Sequence, residues 1–200
     1  MSKTDSLLTA YEFMKMSCTL KKVNRHCNAT KDRKESTAEH SWSVALYCWL
    51  LADGIEKEFS QKVDKDKLIK MALLHDLVET IVGDVSQWHK KKQIDKKTNE
   101  DKAAETIKRQ LSSNLGKEFI QLWQEFELGK SLESRIVRAL DRFSAPLQRL
   151  VTGQGWFDVK ATTKDLDEIQ LPRLNFSETL LRLYKILKKE AVKKKQILPN

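Results

Sequence analysis

Apolar residues recur along most of this chain at intervals of three and four, the period of an amphipathic helix. Residues 6–22 show this spacing, and the polar segment 24–36 after them predicts a loop. Ser36, with Glu39 three residues later, fits a capping box and predicts the start of a second helix. We expect that helix to end near residue 53, because Gly54 follows. Its apolar residues lie on nearly all sides, which is typical of a buried central helix.

The rest of the chain continues the helical pattern. Asp64 can cap the helix that follows it, Gly83 breaks the chain after that helix, and Pro146 is expected to kink or split a later one. The predicted helices span residues 65–80, 95–115, 117–127 and 132–150. Residues 152–172 are rich in Gly, Thr and Asp and predict loops.

A final helix begins at Asn175 or Ser177 and runs to about residue 195. The expected fold class is therefore all-α, a bundle of about six to eight helices with little or no strand.

Composition supports a single helical domain. The chain has 200 residues, of which 40% are hydrophobic, and its 6 Gly and 3 Pro are too few for an all-β sandwich or barrel. No apolar run approaches the ~20 residues that span a bilayer, and the first residues lack the apolar core of a signal peptide. Cys18, Cys27 and Cys48 form no C-x-x-C pair, which predicts reduced thiols and a cytoplasmic location.

The charge balance is basic. There are 37 Lys and Arg against 28 Asp and Glu, a formal net charge of +9. Such a protein attracts phosphate-bearing anions, from small phosphoesters to nucleic acids. The lysines are dispersed, however, and their short runs are most simply solvated helix faces, which makes nucleic acid an unlikely partner. These runs lie at residues 90–92, 96–97, 188–189 and 193–195.

Polar residues interrupt three of the apolar helix faces. His40 lies on the predicted buried helix, His75 and Asp76 fall within an apolar stretch, and Asp141 lies beside an apolar stripe. Buried polar groups are costly unless they are paired or bound to a metal. Two imidazoles and two carboxylates make a mixed nitrogen and oxygen site that suits a divalent ion. The alternative is that each histidine is a hydrogen-bonded core residue.

The order His40, His75-Asp76, Asp141 on a helical chain resembles the H…HD…D signature of the HD-domain metal-dependent phosphohydrolases. Residues 38–41, AEHS, are similar to the S-E-H-S segment of the bacterial 5′-deoxynucleotidases. Residues 75–84, HDLVETIVGD, resemble the H-D-x-x-E-x-x-x-G-D block that those enzymes share with the eukaryotic HD-domain-containing protein two family. The resemblance also includes the pair Asn24-Arg25, the stretch LWQEFE at residues 122–127, and Gln148 seven residues after Asp141.

This resemblance implies one HD domain over residues 1–200, with a core at about 5–150 and a helical extension at about 151–200. It implies a homodimer and one divalent metal ion, Co²⁺ or Mn²⁺ foremost, with Zn²⁺, Ni²⁺, Fe²⁺ or Mg²⁺ as further candidates. The implied metal ligands are His40, His75, Asp76 and Asp141.

The implied reaction is hydrolysis of a nucleoside 5′-monophosphate, with a 2′-deoxy sugar, to nucleoside and phosphate. Glu79 matches the catalytic carboxylate, Asp84 a second acidic residue that places water and substrate, and Arg25 the arginine that contacts the substrate phosphate. The bacterial enzymes have Trp where this chain has His26. His26 is therefore a candidate substrate-binding residue whose side chain differs from that of its counterpart. The stringent-response HD hydrolases carry a second acid where this chain has Thr80, which disfavours their substrate.

Two other interpretations stay open. The chain could be an HD phosphohydrolase for another small phosphoester. It could also be a basic module that binds nucleic acid or a protein partner and keeps a vestigial HD site. Glu79 and Asp84 count against the vestigial site, because a purely structural metal needs neither.

Overall fold

The computed structural model describes residues 3–84 and 95–199. The lysine run at residues 90–92 lies outside these ranges. Within them are eight helices, a one-turn helix α4 and a two-stranded sheet. The elements are α1 (Lys3–Ser17), β1 (Asn24–Thr30), β2 (Arg33–Ser36), α2 (Thr37–Phe59), α3 (Lys65–Leu74), α4 (Glu79–Val82), α5 (Lys96–Gln110), α6 (Ser113–Leu128), α7 (Leu132–Thr152), α8 (Thr163–Leu174) and α9 (Glu178–Lys193). The all-α prediction is therefore confirmed, with one small sheet.

Helix α2 is the centre of the fold. Its buried face packs against α3 and α7, with α9 along a further side. Ser36 and Glu39 form the predicted capping box at its N-terminus. The helix does not end at Gly54, because the burial of Ala52 and Ile55 outweighs the ~1 kcal/mol that an interior glycine costs.

Burial around α2 is less complete than the sequence predicts. Trp42, Trp49 and Leu50 are exposed on the side that faces away from α3 and α7. An apolar residue on this helix is therefore not always covered by another element of the fold. Helix α1 likewise leaves Leu7 and Met14 exposed.

The loop prediction for residues 24–36 is wrong. This segment forms an antiparallel hairpin, β1 with β2, with irregularities in the pairing. Its side chains are polar because the hairpin borders the site described below, so the usual apolar alternation of a strand is missing. Glu35 and Ser36 at the end of β2 are nevertheless buried.

The helix predicted at residues 65–80 is interrupted. Helix α3 ends at Leu74, and the following residues form turns closed by bonds between residues three apart, Leu77 N–H to Leu74 O and Glu79 N–H to Asp76 O. Gly83 then ends α4 with a positive φ of 73°. His75 and Asp76 therefore lie in a tightened turn between two helices and not on a regular one.

Two other boundaries differ from the prediction. The helix expected at 95–115 ends at Gln110, and α6 begins at Ser113. Pro146 does not split α7, which runs through it to Thr152.

The prediction of loops for the segment 152–172 is wrong in part, because this segment contains most of α8. A capping box formed by Thr162 and Asp165 begins this helix, and Leu166 and Leu174 bury one side of it. Ser177 caps the last helix, and it is one of the two residues predicted to begin that helix. None of the described helices combines the length and apolarity needed to cross a bilayer.

Candidate metal and active site

Four side chains from α2, α7 and the turn after α3 converge in the interior. His40 Nε2 lies 3.1 Å from Asp141 Oδ1 and 3.5 Å from Asp76 Oδ2. His75 Nε2 lies 3.2 Å from Asp76 Oδ2 and 3.9 Å from Asp141 Oδ1. One ligand atom from each residue falls within 4.8 Å of all the others. The structure thus brings together all four residues that the sequence singled out.

Hydrogen bonds orient both imidazole rings. The carbonyl of Ala72 can only accept, so His75 Nδ1 at 2.8 Å from it carries the proton. The opposite atom, His75 Nε2, is buried and makes no well-directed hydrogen bond among the described residues, although the carboxylate of Asp76 lies 3.2 Å away. His40 Nδ1 lies 3.3 Å from the hydroxyl of Ser144. This is the usual arrangement around a metal-binding histidine, in which the outer nitrogen is fixed and the inner one is left for the ion.

The charges within the cluster perturb one another strongly. Burial, reinforced by the positive charge of Arg25, lowers the pKa of His40 to about 4. Burial alone would raise the pKa of Asp76, but the neighbouring His75 and His40 outweigh it and lower that pKa to about 2. The pKa of Asp141 is also lowered, because the hydrogen bond from His40 and the charges of the histidines outweigh its burial. Both carboxylates are therefore ionised at neutral pH.

The donor set fits a divalent cation. Two ionised carboxylates supply the negative charge, and two imidazoles supply nitrogen donors. The buried His75 Nε2 makes no well-directed hydrogen bond among the described residues, so an ion would satisfy it. Without an ion, the adjacent carboxylates would repel each other.

Arg25 reaches the cluster from strand β1. Its Nη1 lies 3.3 Å from Asp76 Oδ2, and its Nε lies 3.5 Å from Glu35 Oε2 on β2. Only 14% of the Arg25 side chain is exposed. Burial raises the pKa of Glu35 to about 7, although the nearby Arg25 opposes that shift. The sequence did not single out Glu35, because a charged residue in a polar segment reads as a surface residue.

Glu79 begins α4, one turn beyond His75. Its side chain is 3% exposed and accepts a hydrogen bond of 2.8 Å from the hydroxyl of Thr37. Burial, with added repulsion from Asp76 and Asp84, raises the pKa of Glu79 well above its usual range. Burial also raises the pKa of Asp84. Neither carboxylate belongs to the four-residue cluster.

Two cavities meet at the cluster and share Asp76, Lys96, Asp141 and Arg142. The first, about 130 Å³, is bordered by Arg25, His26, Glu79 and Asp84 as well as by residues of α7 and α8. His26 is exposed at its edge. The second, about 260 Å³, has a lining of mixed charge that includes Lys97, Arg138 and Arg173 as well as Glu100 and Glu127. Neither Arg142 nor the contribution of α8 could be predicted from the sequence, since nothing in their spacing points to a site.

Comparison with known proteins agrees with this geometry. A family profile described as "HD domain" matches residues 18–179. The chain is 36% identical over 140 residues to "5'-deoxynucleotidase HDDC2" of Dictyostelium discoideum, which covers 68% of this chain and 74% of that protein. It is 30% identical over 139 residues to the protein of the same name from Homo sapiens, covering 68% of this chain and 65% of the relative.

A solved structure is also similar. A "predicted metal-dependent phosphohydrolase" from Magnetospirillum magnetotacticum MS-1 superimposes with a TM-score of 0.83 at 30% identity, over 97% of this chain and 99% of that one. The helical fold, with two histidines and two aspartates clustered at its centre, is that of a metal-binding helical protein. The chain belongs to the HD-domain family.

Proposed function

We propose that this protein is a metal-dependent phosphohydrolase that converts nucleoside 5′-monophosphates, preferably 2′-deoxy ones, to nucleoside and phosphate. The observation that carries the proposal is the convergence of the His/Asp cluster, the buried carboxylate of Glu79 and the guanidinium of Arg25 at one cavity. The reaction and substrate are supported by the relatives, which are named 5′-deoxynucleotidases.

The ligands of the proposed metal ion are His40, His75, Asp76 and Asp141. We propose one divalent ion, with Co²⁺ or Mn²⁺ preferred. Such an ion neutralises a phosphoryl oxygen and lowers the pKa of a water molecule.

In the proposed mechanism, Arg25 binds the substrate phosphate. A guanidinium can donate two parallel hydrogen bonds to a phosphate and offset the charge that develops in the transition state. Arg25 already lies beside Asp76, so a phosphate bound to it is held next to the cluster. Glu35, on the other side of Arg25, keeps the guanidinium in place.

Glu79 is the proposed proton carrier. A carboxyl group with a raised pKa can take a proton from the attacking water or give one to the leaving 5′-oxygen. Thr37 holds one of its oxygens, which fixes the direction in which the other points. Asp84 and His26 border the same cavity, and we assign Asp84 to placing water and substrate and His26 to the sugar side.

We further propose that the whole chain is one HD domain, since α8 and α9 bury Leu166, Leu174 and Leu180 in the same core as α2 and α7. A homodimer is supported by apolar side chains that remain exposed on α1 and α2. A cytoplasmic location is supported by the three cysteines, all of which are free.

The test is phosphate release from a panel of deoxyribonucleoside and ribonucleoside 5′-monophosphates with Mn²⁺, Co²⁺, Mg²⁺ or Zn²⁺. We expect release from the deoxynucleotides to be fastest. Release only from other small phosphoesters would favour a different HD phosphohydrolase. No release, together with salt-sensitive binding to DNA or RNA, would favour a binding module with a vestigial site.

A further inference from the structure

Helix α8 forms one wall of the 130 Å³ cavity. Leu166, Ile169 and Gln170 line it, and their spacing of three and four places them on one face of the helix. Ala145 and Pro146 of α7 border the same cavity. These five residues form an uncharged wall next to Arg149, whose guanidinium donates hydrogen bonds to the carbonyl of Gly155 and to Asp158.

Gln170 is unusual in this wall. Gln170 is only 2% exposed, and its carboxamide oxygen is buried without a hydrogen-bond partner among the described residues. A buried polar atom left unpaired destabilises the fold, so a ligand that pairs with it gains affinity. The side chains beside it along the cavity wall, Leu166 and Ile169, have no polar atom to offer it.

We propose that the uncharged wall is the nucleobase subsite and that Gln170 hydrogen-bonds the edge of the base. This inference rests on the proposed function and specifies how the substrate is selected. A carboxamide presents one acceptor and two donors and pairs with the donor and acceptor edge of a base. The apolar side chains of Leu166, Ile169 and Pro146 suit the flat faces of the base, while Arg25 and the His/Asp cluster hold the phosphate.

The test compares substrates with and without a base. The four deoxyribonucleoside 5′-monophosphates share their phosphate and sugar with 2-deoxyribose 5-phosphate, which carries no base. Gln170→Leu keeps a side chain of similar size and removes its hydrogen bonds. Glu168→Gln, on an exposed position of the same helix, is the matched control.

We expect Gln170→Leu to lower kcat/KM for the best deoxynucleotide about 5- to 150-fold, the loss of one buried hydrogen bond, and to flatten the ranking of the four bases. Turnover of 2-deoxyribose 5-phosphate should change less than about twofold, as should every substrate with Glu168→Gln. Gln170→Asn, which keeps the amide but shortens its reach, should show a smaller loss confined to the nucleotides. It provides the test if the leucine variant does not fold.

An equal loss on all substrates would overturn the proposal, because it would assign Gln170 to the phosphate or to the fold. An unchanged ranking of bases in an active, folded variant would also overturn it. A wild-type protein that releases phosphate from no nucleotide fails at an earlier step and overturns the proposed function itself.

Discussion

Replacing Glu79 by Gln separates chemistry from metal binding. The amide has nearly the same volume as the carboxyl group, and its oxygen can still accept the hydrogen bond from Thr37. Glu79 is not one of the four clustered residues, so the divalent ion should remain bound. What the change removes is the ability to exchange a proton.

The expected loss in kcat is about 10²- to 10⁴-fold, the usual contribution of a positioned acid or base. At about 1.4 kcal/mol per factor of ten, this equals roughly 3–5 kcal/mol of transition-state stabilisation. The stability of the fold, in contrast, should not fall. Burial and the charges of Asp76 and Asp84 raise the pKa of Glu79, so its ionised form is disfavoured in the folded, metal-stripped protein. Above the unfolded pKa this group therefore destabilises the fold, and the neutral amide should leave Tm unchanged or higher.

The assay measures kcat, metal content and Tm for Glu79→Gln beside a matched control. Glu133→Gln is suitable, because Glu133 is also a buried carboxylate but accepts a hydrogen bond from the backbone of Asp64, away from the cluster. The control should lower Tm and leave kcat almost unchanged. Near-wild-type kcat in Glu79→Gln with its metal retained would refute the role assigned to Glu79.

Three further outcomes are expected. Asp76→Ala should lose bound metal and activity together, as measured by elemental analysis and phosphate release. Arg25→Ala should raise KM or lower kcat at least tenfold, while replacing Lys193, Lys194 and Lys195 by Gln should change kcat/KM less than about twofold. Glu39→Ala should cost about 1 kcal/mol at pH 7, measured by denaturant unfolding, because Glu39 closes the capping box. Arg33 and Ser36 lower the pKa of Glu39 to about 2, so this cost should vanish as pH falls from about 4.5 to 2.

The candidate metal ligands could be predicted because their residue types conflict with their surroundings. His40, His75 and Asp141 lie within or beside apolar stretches of the sequence, where a buried polar group needs a partner or an ion. That conflict is visible in sequence. The tightened turn that holds His75 and Asp76 is not visible there, because it replaces bonds between residues four apart with bonds between residues three apart and leaves the apolar period unchanged.

Other parts of the cavity gave no sequence signal. The hairpin that carries Arg25 and Glu35 is polar because it faces the site, and polarity in a short segment is also typical of a loop. Helix α8 was missed because the Thr and Asp residues that form its capping box also occur in turns. The cavity-lining role of Gln170 depends on how α8 packs against α7, which no local pattern encodes.

The most direct test of the central claim is a metal titration of the wild-type protein. The protein is stripped with a chelator and then mixed with increasing Mn²⁺ or Co²⁺, and phosphate release from a deoxyribonucleoside 5′-monophosphate is measured alongside bound metal. We expect no phosphate release from the stripped protein, and a rise in release that saturates near one metal ion per chain. Full activity without metal, or no activity at one bound ion per chain with either metal, would contradict it.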